Sequence, residues 1–280
     1  MSTPLLENTI SKEELNDIID FYQNQNKSLR EISRITGYNR ATLSRMLERL
    51  GIKVTKGNHY RKYFFDFNFF KKIDSELSAY WLGVLYADGC ILSKEKYGEQ
   101  SFKLQLAEQD IELLQHYKED LKSTYPIRHD DSRFKHNPKH QKMRFLEQRS
   151  QQTVNDLKRL GCIERKSLIL DFPTEEQVPK KYIYHFIRGY FDGDGSISCW
   201  KERNWIISFV GTENFIKKLA TYFPGGSVFK DKRKENSWYF SLGGNKQVIK
   251  AYHLMYDNSS RYMKRKFNKF QQLLTKYSES

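Results

Sequence analysis

The chain has 280 residues, 38% of them hydrophobic and 15% aromatic, and its 48 Lys+Arg against 34 Asp+Glu leave a net charge of +14. That size and apolar content exclude a disordered tail and allow one large domain or two smaller ones, while the positive excess points to a polyanionic partner, nucleic acid first. No apolar run approaches bilayer length, and the N-terminal stretch MSTPLLENTISKEE has no basic-then-apolar leader. Three cysteines (Cys90, Cys162, Cys199), far apart and outside metal-ligand spacing, fit a reducing setting. An intracellular protein that is not secreted and has no membrane partner is therefore expected.

In chain order, Ser11-Lys12-Glu13-Glu14 has a capping-box pattern and opens a helix with Leu15, Ile18, Ile19 and Tyr22 at helical spacing. A second box, Ser28 with Glu31, opens a short helix with Ile32 and Ile35 on one face. After the Thr36-Gly37-Tyr38 turn, Asn39 caps a third helix that stops at Gly51. Its apolar stripe is Leu43, Met46, Leu47 and Leu50, with Arg40, Ser44, Arg45 and Arg49 off the stripe. From 28 to 63 there are nine basic residues against Glu31 and Glu48, a local excess of seven. Two short helices about a glycine turn, the second of them basic, resemble a helix-turn-helix, so residues 1–55 are expected to bind DNA through those four off-stripe side chains. Residues 56–78 read as a basic, aromatic linker whose phenylalanines dock it onto the larger region beyond.

The rest of the chain repeats itself. AYWLGVLYADGCI (79–91) aligns with HFIRGYFDGDGSI (185–197) when Asp88 is placed over Asp194, matching Gly83 to Gly189, Ala87 to Gly193 and Gly89 to Gly195. Counted from these segments, both halves read helix, two strands, helix, two strands, helix, so 79–178 and 179–280 are two copies of one unit. Small residues at i and i+4 (Gly83 and Ala87, Gly189 and Gly193) let two helices run with their backbones close, bringing Asp88 and Asp194 together at their ends. Gly89 and Gly195 are expected to end these helices in the left-handed conformation. Carboxylates at a helix C-terminus oppose the dipole and repel each other, so a hard divalent cation should compensate; a cation held there can activate water on a phosphodiester. DGDG is no EF-hand loop, because Ile197 stands where that loop needs Gly and Arg203 where it needs Glu. His136-Asn137-Pro138-Lys139-His140 has no second ligand pair and reads as a basic hairpin tip.

Both segments resemble the LAGLIDADG motif of homing endonucleases, over Trp81–Gly89 and Ile187–Gly195, and the likeness extends over about 79–275. It implies an α+β fold, a duplicated αββαββα saddle with pseudo-twofold symmetry beside the small all-α module. It also implies a monomer that lays four strands of each half in the DNA major groove. Mg²⁺-dependent cutting of both strands at a long, rare site, leaving short 3′ overhangs, would result; Mn²⁺ or Ca²⁺ could substitute in binding. The metal would sit on Asp88 and Asp194, with the backbone carbonyl region of Ala87, Gly89 and Gly193. Lys166 and Lys266 resemble the basic residue the family keeps late in each half, their offsets from the motif acids being similar (166−88=78, 266−194=72). Glu108 and Thr212 are weaker candidates for support behind the metal. By alternation, Lys94, Lys96, Lys103, Gln105, Arg144, Gln148, Lys201, Lys230 and Lys232 are expected to face DNA. Tyr86 departs from the motif, standing where the second copy has Asp192, a helix-end packing or capping position. Two readings stay open beside the nuclease: a DNA-binding regulator on the same scaffold, and a maturase that binds intron RNA.

Overall fold

A computed structural model of the chain describes residues 6–23, 27–52, 54, 62–92, 100–164, 166, 169–201, 203–232 and 234–278. Lys94 and Lys96 lie outside the described residues. The chain divides into two compact units, Met1–Tyr63 and Phe64–Ser280.

The first unit packs α1 (Lys12–Gln23), α2 (Leu29–Thr36) and α3 (Arg40–Arg49) around Ile18, Ile32, Leu43, Met46 and Leu47. Its helix ends obey the local chemistry. Ser28 and Glu31 form a reciprocal capping box, Gly37 ends α2 at φ 78°, and Asn39 accepts from the Ala41 N–H at 2.9 Å. The apolar stripes are narrower than their spacing suggests: Ile35 is 53% and Leu50 41% exposed. Each lies one turn beyond the last residue that the other helices cover.

The second unit is a duplication in three dimensions as in sequence. The first copy runs α4 (Glu76–Asp88), β1 (Gly89–Ile91), β2 (Ser101–Ala107), α5 (Ile111–Asp120), β3 (Arg128–Asp130), a short α6 (Ser132–His136), β4 (Met143–Arg149) and α7 (Gln151–Arg159). The second runs α8 (Ile183–Asp194), β5 (Gly195–Trp200), β6 (Asn204–Gly211), α9 (Glu213–Ala220), β7 (Ser227–Lys230), β8 (Trp238–Gly243) and α10 (Asn245–Tyr256), and α11 (Lys264–Ser278) closes it. Each copy folds into one antiparallel sheet of the same order, β1-β2-β4-β3 and β5-β6-β8-β7. This is the duplicated αββαββα architecture. α6 occupies the expected hairpin tip, with the histidine string at and beyond its end. Phe65, Phe70 and Ile73 are buried in the core of this unit, ahead of α4.

One face of each sheet is packed and the other open. In the first, Phe102, Leu104 and Leu106 of β2 stand opposite Gln148, Leu146 and Arg144 of β4 on the packed side. In the second, Ile207 and Phe209 stand opposite Leu242 and Phe240. Period-two alternation fixes everything else: once one side chain of a strand is assigned to the core, so is every second one.

That phase corrects three DNA-facing expectations. Arg144 is 5% exposed and pairs with Glu108 and with Asp131 at 2.9 Å, and Gln148 is fully buried with its Nε2 toward Ser123 Oγ at 3.3 Å. Lys230 stands opposite Trp238, in the phase of the packed side, and is exposed only because it ends edge strand β7. Lys103 and Gln105 do lie on the open face, opposite Glu147 and Phe145. Lys201 sits at the β5–β6 turn with its Nζ 4.3 Å from the Trp200 ring centroid, and Lys232 is exposed just after β7.

Candidate active site: paired helix ends

α4 and α8 are apolar nearly all round, as helices must be when both faces are covered. Their approach is set at two glycines. A Cβ on Gly83 would stand 2.1 Å from the Phe186 carbonyl oxygen and 2.8 Å from the Tyr190 nitrogen; one on Gly189 would stand 2.0 Å from the Tyr80 oxygen and 2.9 Å from the Val84 nitrogen. Lower down, a Cβ on Gly193 would meet Ala87 Cβ at 2.2 Å and Asp88 Oδ2 at 2.8 Å. The contacts at Gly83 and Gly189 are with backbone, so no rotamer change can relieve them, and any side chain would push the helices apart. Asp88 and Asp194 therefore end two helices held at backbone distance.

The helix ends differ from expectation in one respect. Gly89 has φ −79° and Gly195 φ −95°, extended values, and each chain runs straight into a strand. Glycine is required there for space: a Cβ would lie 2.5 Å from the Leu85 oxygen or the Phe191 oxygen. The terminal carbonyls that a left-handed turn would have satisfied are instead taken by lysines. Lys266, 4% exposed in the first turn of α11, donates to the carbonyls of Phe191 and Asp192 at 2.7 Å, Gly193 at 3.1 Å and Gly195 at 2.5 Å. Lys166, 9% exposed in the segment after α7, donates to Ala87 O at 3.3 Å and to Gly89 O. A cation at a helix C-terminus is electrostatically favoured, and these two also offset the carboxylates.

Each lysine caps the motif helix of its own repeat and lowers the aspartates of both. Burial and then the Asp194 charge push Asp88 up to about 7, opposed first by Lys266 and then by Lys166. Burial also raises Asp194, opposed first by Lys166. Burial lowers Lys266 to about 8 against the pull of Asp192, Asp88 and Asp194. Lys166, Asp194 and Ala87 line one cavity of about 560 Å³ together with Thr212 and Lys234. Two helices with adjoining ends leave each capping lysine near both acids.

The weaker candidates have other employment. Glu108 holds Arg144. Thr212 caps α9, accepting from Phe215 N at 3.3 Å and donating to Leu170 O. Asp192 is fully buried, accepting from Tyr80 Oη at 2.7 Å, Tyr256 Oη at 2.9 Å and Met263 N at 2.7 Å, which fixes the start of the helix bearing Lys266. Tyr86, its counterpart, donates to Leu160 O. In the first unit, Arg40 and Arg45 are exposed and Ser44 half-buried, but the Arg49 guanidinium is held by Glu7 at 2.5 and 2.8 Å and is no free DNA contact.

Sequence reasoning missed Asp110 and Lys234. Asp110 adds negative charge near Asp88 and is held by Arg265 Nε at 2.9 Å; Lys234 lowers Asp194. Asp110 stands two residues past Glu108, and Lys234 ends the basic run that begins at Lys230, so each could have been found by extending a stretch already marked.

Among the described residues no three His, Cys, Asp or Glu side chains cluster as a metal cage. What the helix ends offer is two carboxylates, hard oxygen donors; the neighbouring carbonyls are equally hard, but Ala87 and Gly89 accept from Lys166 and Gly193 from Lys266. Such a set is too sparse and too hard for zinc and suits Mg²⁺ or Ca²⁺ completed by water and phosphate oxygens.

No family model matches the sequence and no curated protein does. Among solved structures the chain is similar to the I-LtrWI LAGLIDADG homing endonuclease bound to target DNA, at 12% identity and TM-score 0.49, covering 72% of this chain and 90% of that one. It is also similar to the I-SmaMI LAGLIDADG homing endonuclease bound to cleaved DNA (13% identity, TM-score 0.43, 66% of this chain and 84% of that). The same endonuclease bound to uncleaved target with calcium ions is a further likeness, at 12% identity and TM-score 0.43 over 64% and 84% of the two chains.

Proposed function

We propose that the chain is a site-specific DNA endonuclease of the LAGLIDADG homing type, cutting both strands with a divalent cation held at the α4 and α8 ends. The observation that carries this reading is the pair Asp88 and Asp194, each at the end of a close-packed helix whose terminal carbonyls are neutralised by a buried lysine. Desolvated acids beside each other are costly in the free protein, and a cation removes the cost; a site strained without its ion is organised to bind it.

Asp88 and Asp194 would hold Mg²⁺, its remaining positions filled by water and phosphate oxygens. Bound there, the ion supplies Lewis acidity to a phosphodiester and lowers the pKa of its water. The chain's own groups do the rest. Lys166 and Lys266 stand beside both acids, fixed by carbonyl contacts, where their ammonium groups stabilise charge on the phosphate. The open face of each sheet, starting directly from the site at Gly89 and Gly195, would lie in a DNA groove. The first unit would add a second DNA contact through Arg40 and Arg45.

The test is a plasmid carrying the joined flanks of the protein's own gene. Purified protein with Mg²⁺ is expected to linearise it, while Asp88→Asn and Asp194→Asn bind it without cutting. Tight binding with no cleavage in Mg²⁺ or Mn²⁺ would overturn the reading in favour of a regulator.

A further inference from the structure

The two open faces, so alike in backbone, carry different chemistry. In the second sheet the register lines up Ser196 with Ser208, Ser208 with Ser241 and Ser241 with Ser227, a ladder of hydroxyls that crosses all four strands. Ser196 and Ser208 are 3.1 Å apart, oxygen to oxygen. The rows on either side are mostly apolar, with Ser198 in one of them, and beyond that row the exposed Trp200 stands opposite Asn204. Ile206 stands between Ser198 and Gly243 on one side; on the other, Val210 is opposite Tyr239 and Tyr239 opposite Phe229, whose rings stack at 5.7 Å. Phe229 is 48% exposed. Among the described residues this open face bears no charged side chain on its strands; the charge is at the rim, on Lys201, Lys232 and Lys234.

The first sheet has the opposite arrangement. In the row matching the serine ladder, Cys90 stands opposite Lys103 and Lys103 opposite Glu147; in the next, Gln105 stands opposite Phe145 and Phe145 opposite Arg128. Lys103 lies over the Phe145 ring at 5.2 Å, and Gln105 donates to Asp130 at 3.1 Å. Here charge and amide groups form the floor itself.

The floor of a base-reading surface decides specificity, because phosphate contacts position the protein without carrying sequence information. Lysine and arginine read guanine through O6 and N7, and glutamine reads adenine; a hydroxyl donates or accepts and tolerates either; apolar groups recognise only the thymine methyl. A neutral floor of serines between mostly apolar rows can therefore discriminate bases in the major groove chiefly by methyl contact. We propose that the two sheets read half-sites by different chemistry: the second selects thymine methyls through Ile206, Val210 and Phe229, with its rim lysines on phosphates, and the first selects bases by polar and charged contacts from Lys103, Gln105 and Arg128. The target is thus predicted to be asymmetric, with one half dependent on methyl groups and the other not. This rests on the DNA-endonuclease reading.

The experiment starts from duplexes with a randomised core, selected with the full chain in Ca²⁺. Selection repeated with Lys103→Ala loses information in the half that the first sheet reads, which assigns the halves. The selected duplex is then remade with deoxyuridine for thymidine in one half or the other, removing methyls and nothing else. Substitution in the second sheet's half is expected to weaken binding several-fold per contacted methyl, and substitution in the first sheet's half to leave it within twofold. Phe229→Ala and Ile206→Thr should each bring the thymidine-to-deoxyuridine affinity ratio of the contacted base toward one, a readout that partial unfolding does not move because it lowers affinity for both duplexes equally. Equal deoxyuridine effects in the two halves, with the selected duplex still cut in Mg²⁺, would overturn this inference and leave the nuclease reading standing. Failure to enrich any duplex would overturn both.

Discussion

Replacing Asp88 with asparagine should stabilise the protein while abolishing its proposed activity. In the unfolded chain this carboxyl ionises near 3.8, and in the folded protein it is raised to about 7 by burial and by Asp194. Between those values the folded state holds a proton that the unfolded state has released, so stability falls as pH rises, and the penalty is fully expressed only above pH 7. A shift of about three units corresponds to roughly 4 kcal/mol at most, since each unit is worth about 1.4 kcal/mol. The half-buried position and the amide's own hydration reduce the expected gain to about 2–4 kcal/mol, a rise in Tm of roughly 5–10 °C for a unit of this size. The assay is thermal unfolding of wild type and Asp88→Asn in chelator at pH 5 and pH 8. The variant's advantage should be large at pH 8 and small at pH 5, and Mg²⁺ should stabilise the wild type more than the variant. A variant less stable than wild type at pH 8, or an advantage that does not change with pH, would refute the claim that these acids are strained without a cation.

Gly83→Ala would place a methyl against the Phe186 carbonyl. The roughly 1 kcal/mol gained in helix propensity is outweighed by an overpacking cost of about 1–3 kcal/mol or more, so a lower Tm and slower cutting are expected. Lys266→Met and Lys166→Met should each slow cleavage by about a hundredfold or more, with nicked circles accumulating ahead of linear plasmid on gels if each lysine serves one strand. Arg144→Ala leaves Glu108 and Asp131 without their partner and should cost about 2–4 kcal/mol in denaturant unfolding. Lys103→Ala, on the open face, should leave the unfolding curve unchanged and weaken DNA binding in a fluorescence titration.

The site was legible from sequence because its requirement is compositional. Only glycine permits the helix approach at 83 and 189, and only a glycine at 193 facing a small residue at 87, and the duplication shows the requirement twice. The strand faces were not legible. MRFLEQR alternates in both phases, with Met143 and Phe145 the more apolar set, yet Leu146 and Gln148 are the fully buried residues. The phase is decided by pairing with β2, whose Phe102, Leu104 and Leu106 form an unambiguous row, and by Asp131 and Glu108, which make Arg144 tolerable on the packed side. Neither can be read within β4. The glycine at each helix end is needed for space and not for a left-handed turn, and the partner of the helix-end carbonyls, a lysine more than seventy residues away, leaves no local trace.

The seam between α4 and α8 is symmetric in its glycines but not in its polar groups. Arg188, fully buried, reaches Glu76 at 2.7 Å, and Asp192 receives Tyr80; the equivalent positions on the opposite helix hold Leu82 and Tyr182, Tyr86 and Phe186. A dimer built from two copies of the second half would bury two guanidinium groups and two carboxylates without these partners. One built from two copies of the first would set Tyr80 against Tyr86 and leave Glu76 without its arginine. Neither half carries a seam that complements itself, so a chain rebuilt by exchanging one half would have to carry both sides of this clasp together.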